Sequence, residues 1–151
     1  MRVIFVCLGN ICRSPIAEGI LRKMIERHKL SWQSSSAGTA HYHLGKAPHH
    51  FSQRICAAHR IDISHHRAQQ FNASMVDQFD LIVAMDRANL KELKKMTAIK
   101  HQDKKIVLFS SLNTGQGIED IPDPYYGGYE GYELIYDMIH DLCQALIYKY
   151  K

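Results

Sequence analysis

Three short apolar runs set the terms on which this chain can fold. Residues 2–7 (RVIFVC), 79–85 (FDLIVAM) and 104–109 (KKIVLF) are nearly unbroken hydrophobic stretches of strand length. A strand reads this way when both of its faces are covered. Between the runs the apolar period changes to that of a helix. Ile16, Ile20 and Met24 join Ala17, Leu21 and Ile25 in one face across residues 15–28, and Pro15 falls in the first turn, where its missing N–H costs nothing. Phe51, Ile55 and Ala58 mark a second helix near 48–60, Leu90 and Leu93 a third near 87–96, and Leu134, Met138, Leu142 and Leu146 a long last one. A fourth, more polar strand is placed at 32–37 (WQSSSA). This alternation predicts an α/β fold: a central four-stranded parallel sheet with helices on both faces. Residues 110–128 (SSLNTGQGIEDIPDPYYGG) predict a long polar loop of the kind that carries function.

The chain of 151 residues is long enough for a single domain, 1–151, with a real core. No apolar run has the length of a membrane span, and the first residues show no signal-peptide pattern, so a cytoplasmic protein is expected. Four cysteines without a signal sequence argue for reduced thiols, not a disulfide framework. The net charge is +4, with the basic residues scattered. Scatter is a poor footprint for nucleic acid, whereas a basic balance suits anionic substrates.

Ligands in α/β sheets bind beyond the carboxyl ends of the strands, which directs attention to residues 7–14 (CLGNICRS). These residues run from the end of the first strand into a helix N-terminus, where unpaired N–H groups form an anion site. Gly9 lets the backbone fold tightly, and Asn10 tolerates the left-handed conformation that such loops need. Arg13 adds a planar fork matched to two phosphoryl oxygens. An environment that holds a dianion also stabilises a thiolate, so Cys7 becomes a nucleophile at the floor of a phosphate cradle. Displacing an alkoxide or phenoxide also requires an acid. Asp123 is a candidate, stiffened between Pro122 and Pro124; Asp120 and Glu119 are alternatives, and a plain turn aspartate is the bland one.

The stretch VCLGNICRSPIAEG resembles the signature of the low-molecular-weight protein tyrosine phosphatases, and SAGTAHYHLG (36–45), FDLIVAMDRANL (79–90) and DPYYGG (123–128) extend the resemblance along nearly the whole chain. It implies hydrolysis of phosphomonoesters, protein phosphotyrosine above all, through a cysteinyl-phosphate, without a metal or other cofactor and with inorganic phosphate as product. It also implies roles. Cys7 attacks phosphorus, and Arg13 clamps the equatorial oxygens with the backbone of Leu8, Gly9, Asn10, Ile11, Cys12, Arg13 and Ser14. Ser14 donates to the Cys7 sulfur, and Asp123 serves as acid and then base. Asn10 holds the loop through Ser36 and a histidine, His66 or its neighbour His65. Ile11, Tyr42, Tyr125 and Tyr126 form the substrate rim. Cys12 lies on the same curled loop as Cys7 and is expected to capture an oxidised Cys7 as a disulfide. Cys56 and Cys143 are expected to be inert core thiols.

Rival readings remain on the same fold. An arsenate reductase would need relay cysteines, and none occurs between residues 57 and 142. Relatives that act on phosphoarginine tend to carry Thr where Ile11 stands. A phosphate- or nucleic-acid-binding module is the non-enzymatic alternative. His41, His43, His49, His50, His65 and His66 invite a metal, but adjacent pairs do not share one easily and no third ligand joins them at a standard spacing; solvated loop surface is the expectation.

Overall fold

A computed structural model of the chain, describing residues 1–97, 103–113, 115 and 119–151, places β1 (Arg2–Cys7), β2 (Gln33–Gly38), β3 (Leu81–Ala84) and β4 (Ile106–Leu108) in one sheet. All pairings are parallel, in the order β2-β1-β3-β4. The sheet carries α1 (Arg13–Arg27), α2 (His50–Ala58), α3 (Arg87–Thr97) and α4 (Tyr129–Tyr150). Side chains of β1 alternate between two cores. Val3, Phe5 and Cys7 face the larger one, with Ile16, Ile20 and Leu21 of α1 and Ile139 and Leu146 of α4. Ile4 and Val6 face the smaller one, with Leu93 of α3, Phe71 and Val76. Each fully enclosed aliphatic side chain contributes about 1.5–3 kcal/mol of burial, so the α/β sandwich follows from the patterning.

The order places successive connections from β1 and β3 on opposite sides of β1. The carboxyl end of β1 is therefore the switch point of the sheet, where an open α/β fold leaves its crevice. Cys7 is the last residue of that strand, paired in register with Gly38.

Several boundaries differ from expectation. The strands expected at 79–85 and 104–109 shorten to Leu81–Ala84 and Ile106–Leu108. Asp80 instead accepts from the Arg2 amide at 2.6 Å, and Phe109 opens a 3-10 turn, Phe109–Leu112, with its ring 5.2 Å from that of Phe5. Polar β2 persists because α1 satisfies its hydroxyls: Ser34 Oγ donates to Glu18 O at 3.0 Å. On α4 the buried stripe is Tyr132, Ile135, Tyr136, Ile139, Leu142, Cys143, Leu146 and Ile147, and Leu134 is 57% exposed. A row with strict four-residue spacing winds about 40° around the helix at each step, which carries Leu134 off the face. Ala58, the last residue of α2, is exposed, whereas Ile55 and Cys56 are buried.

Within the expected loop 110–128, Thr114 and residues 116–118 lie outside the described residues. Ile121 anchors the part of the loop that leads to Asp123. Its side chain is buried, and its amide donates to Met85 O at 3.1 Å. No helix among the described residues is long and apolar enough to cross a membrane.

Candidate active site

Residues 7–14 form a tight loop whose carbonyls are bonded from outside. Cys7 O accepts from Thr39 N (2.9 Å), Leu8 O from Ala40 N (3.0 Å) and Ile11 O from His49 N (2.8 Å), while Cys12 O accepts from Ser52 Oγ (3.2 Å). Carbonyls tied outward turn the amides inward around the Cys7 sulfur; Asn10 N donates to Sγ at 3.3 Å. Asn10 supplies the left-handed residue, with φ 58°. Gly9 has another purpose, because its φ is not in that region. A Cβ on Gly9 would meet His43 Cδ2 at 2.9 Å, and one on Gly38 would meet Leu8 O at 2.7 Å. The loop is thus packed against the His43 ring on one side and the bare backbone of Gly38 on the other.

Asn10 is fully buried and uses both ends of its amide. Nδ2 donates to Ser14 Oγ (2.8 Å) and Ser36 Oγ (3.0 Å), and Oδ1 accepts from the Gln69 amide (3.0 Å) and lies 3.0 Å from His66 Nε2. His66, not His65, is the supporting histidine. Glu18 completes this buttress. Its Oε2 accepts from Ser36 Oγ at 2.6 Å and lies 3.2 Å from His66 Nδ1. Ser14 Oγ accepts from Asn10 Nδ2, so its own hydrogen faces Cys7 Sγ at 3.0 Å and Ala37 O at the longer distance of 3.4 Å.

Arg13 is enclosed at 2% exposure, with Nη1 donating to Asp86 Oδ2 at 2.5 Å and to Ile121 O at 3.0 Å. Nη2 lies 3.6 Å from Asp123 Oδ2. Burial opposes the guanidinium charge, but Cys7, Asp86 and Asp123 outweigh it and hold Arg13 above its ordinary pKa. Asp86 also accepts from Asn89 N at 2.7 Å through Oδ1, which ties it to the start of α3.

The acidic candidates separate by position. Asp123 is 41% exposed and accepts from Tyr125 N at 3.1 Å. Asp120 pairs with Arg87, accepting from its amide at 3.1 Å and its guanidinium at 3.3 Å. Glu119 lines a different groove, beside Leu134 and Asp141. Of the three, Asp123 shares a cavity of about 120 Å³ with Cys7 and Arg13, walled by Tyr42, Tyr125 and Tyr126. A larger groove of about 570 Å³ is lined by Arg54, Ile61 and Ile63 and by no residue of the loop; volume alone does not locate the chemistry.

Tyr42 and Tyr126 are highly exposed at 68% and 96%, whereas Ile11, at 7%, belongs to the wall and not the rim. The histidines correct another expectation. His43 and His49 are half-buried: the ring of His43 lies 5.7 Å from that of Tyr125, and His49 stacks on Tyr132 at 5.1 Å. No group of three or more His, Cys, Asp or Glu among the described residues could hold a metal ion. All four cysteines are free. Cys12 Sγ lies 3.4 Å from the Tyr132 hydroxyl, and burial pushes its pKa up to about 12. Burial does the same to Cys56, also to about 12, and raises Cys143 further.

Asp86, Glu18, Ile121 and the two histidines are the site residues that sequence reasoning missed. Asp86 carried one usable signal, because it follows β3 at the same sheet edge as Cys7.

Comparison with known proteins agrees with this geometry. A family profile described as low molecular weight phosphotyrosine protein phosphatase matches residues 2–151. The low molecular weight phosphotyrosine protein phosphatase of Mus musculus is 38% identical over 150 residues, covering 97% of this chain and 94% of the relative. A crystal structure of a protein tyrosine phosphatase from Entamoeba histolytica superposes with a TM-score of 0.92 at 34% identity, covering 99% of this chain and 96% of that one. A drosophila arginine phosphatase superposes with a TM-score of 0.93 at 35% identity, covering 100% and 98%.

Proposed function

The chain belongs to the low molecular weight phosphotyrosine protein phosphatase family, and from that premise we propose that Cys7, Arg13 and Asp123 hydrolyse protein phosphotyrosine by two displacements at phosphorus. One observation carries the reading. A thiol, an enclosed guanidinium and a carboxyl group open onto the same cavity of about 120 Å³, floored by a loop whose carbonyls are tied outward.

In the first displacement the Cys7 thiolate attacks phosphorus, and the bond from phosphorus to the phenolic oxygen breaks. Asp123, protonated, gives its proton to that oxygen, so that a phenol leaves. The loop amides and the Arg13 fork take the charge on the equatorial oxygens. In the second displacement Asp123, now a carboxylate, takes a proton from water as the water oxygen attacks the phosphocysteine. The sulfur leaves as a thiolate, stabilised by the Ser14 hydroxyl, and inorganic phosphate departs. No step requires a metal.

Tyr42, Tyr125 and Tyr126 favour an aromatic substrate, since a phenyl ring packs well between aromatic walls. Phosphoarginine is the second reading, favoured by the likeness to the drosophila arginine phosphatase. The proposal takes residues 1–151 as one domain and, given its free thiols, places it in the reducing cytoplasm. It keeps Cys12 as the thiol that traps an oxidised Cys7, and it assigns nucleic acid no part. The test is hydrolysis, with a chelator present, of matched peptides carrying phosphotyrosine, phosphoserine or phosphoarginine. The phosphotyrosine peptide should show the highest kcat/KM. A higher value for phosphoarginine would transfer the assignment to the second reading.

A further inference from the structure

His49 lines no part of the phosphate cavity, yet three elements of the site meet at this one residue. Its backbone N–H donates to Ile11 O in the phosphate loop at 2.8 Å. Its Nδ1 accepts from Phe51 N at 3.1 Å, which caps the N-terminus of α2. Its ring stacks on Tyr132 of α4, centroids 5.1 Å apart and planes 19° apart, and the Tyr132 hydroxyl in turn lies 3.4 Å from Cys12 Sγ. The edge of the ring meets Tyr125 at 6.0 Å and 70°, and the Tyr125 amide is the donor to Asp123 Oδ1. One imidazole therefore stands between the floor of the site and the segment that bears its acid.

Capping does not account for the choice of residue. Asn, Asp, Ser and Thr are the preferred caps, and a short polar chain at position 49 would satisfy the Phe51 amide without reaching Tyr125. What the imidazole adds is a rigid face and edge. Its burial, reinforced by neighbouring His50, lowers its pKa and keeps Nδ1 an acceptor near neutral pH, so the cap and the stack coexist. The acid segment has few other anchors. Ile121 and Pro124 are buried on either side of Asp123, whereas Asp123, Tyr125, Tyr126, Gly127 and Gly128 are exposed. On the far side of the acid, the contacts of Tyr125 with His43, at 5.7 Å, and with His49 add to the hold of buried Pro124, whose carbonyl accepts from Gly127 N at 3.0 Å.

We propose that His49 is a positioning residue: wedged between Tyr132 and Tyr125, its ring sets how far Asp123 reaches over the phosphate loop, and so governs proton delivery to the leaving group. The inference rests on the reading of Asp123 as the acid. A ring that acts in this way affects the step in which a leaving group needs a proton and leaves phosphate binding alone.

The experiment compares kcat/KM for phenyl phosphate, whose leaving group needs protonation, with that for p-nitrophenyl phosphate, whose leaving group hardly does. The inhibition constant of inorganic phosphate and the thermal midpoint are measured alongside. His49→Asn keeps a capping oxygen and loses the ring. Its ratio of phenyl to p-nitrophenyl kcat/KM should fall roughly 3–10-fold, the scale of one lost aromatic contact, with phosphate inhibition unchanged. His49→Phe keeps the ring and loses the cap, so its thermal midpoint should fall while the ratio stays within about twofold of the parent. An unchanged ratio in His49→Asn overturns the proposal. A ratio that falls as far in His49→Phe as in His49→Asn also overturns it, because a ring between Tyr132 and Tyr125 would then not suffice to set the acid. Asp123→Asn separates the two levels. If that variant leaves the ratio unchanged, the acid assignment itself fails; if it collapses the ratio and His49→Asn does not, only the role of His49 fails.

Discussion

Arg13 is almost wholly enclosed, and an enclosed guanidinium holds its place only when its donors have acceptors. Asp86 and Ile121 O take Nη1, and Nη2 is left facing Asp123 and the cavity. Position also separates the carboxylates: Asp86 pairs with the Arg13 fork, Asp120 is occupied by Arg87, and Asp123 opens onto the cavity it shares with Cys7. Asp123→Asn should therefore lower kcat by roughly 10²–10⁴ for phosphates with poor leaving groups, and much less for activated aryl phosphates. Asp120→Asn should show no such leaving-group dependence. Steady-state rates across a series of aryl phosphates check both, and the reverse pattern would move the acid to Asp120.

At the scale of elements, the phosphate loop is shaped as much by what is missing beside it as by its own residues. The end of β2 runs so close that a Cβ on Gly38 would lie 2.7 Å from Leu8 O, 3.1 Å from Gly9 C and 3.2 Å from Asn10 N, all of them backbone. Backbone cannot swing aside, so Gly38→Ala should weaken the site by about 1–3 kcal/mol. The effect should be read as a higher inhibition constant for inorganic phosphate; an unchanged constant would mean that the loop tolerates displacement. α2 adds a pH dependence of its own. The pKa of His49 is lower folded than unfolded, so below the ordinary histidine value the unfolded chain binds the extra proton more readily. This contribution is complete above about pH 6.5 and is lost as pH falls toward the folded value. Thermal midpoints of the parent and His49→Asn should therefore draw together between about pH 7 and pH 5, since Asn does not titrate. A difference independent of pH would contradict the assignment.

Over the whole molecule, what was legible in the sequence is what neighbouring residues encode. The eight residues from Cys7 to Ser14 carry a thiol, a turn, a fork and a helix start in one stretch, and the apolar runs beside them dictate the sheet that aims the loop. Ser36 and His66 are distant in the chain and are reached only through resemblance, which also selects Asp123 from the three acidic candidates that its loop offers. Asp86 and Glu18 were not reached. Each is a lone acidic residue whose partner is chosen by the fold, in the case of Asp86 one 73 positions away. His49 was misjudged as solvated surface because nothing in HH at 49–50 tells which ring finds Tyr132. Helix faces were legible to within a turn, and Leu134 shows the limit of a fixed spacing on a helix of 22 residues.

The central claim, a covalent phosphocysteine, is tested most directly by quenching the enzyme in acid during turnover of an aryl phosphate and locating the phosphoryl group by peptide mass spectrometry. It should be found on Cys7 in the parent and should be absent from Cys7→Ser, which should have lost essentially all turnover. In Asp123→Asn, supplied with an activated aryl phosphate, it should accumulate, because water then lacks its base. Full turnover by Cys7→Ser, or steady hydrolysis with no phosphoryl group on Cys7 in any variant, would contradict the account.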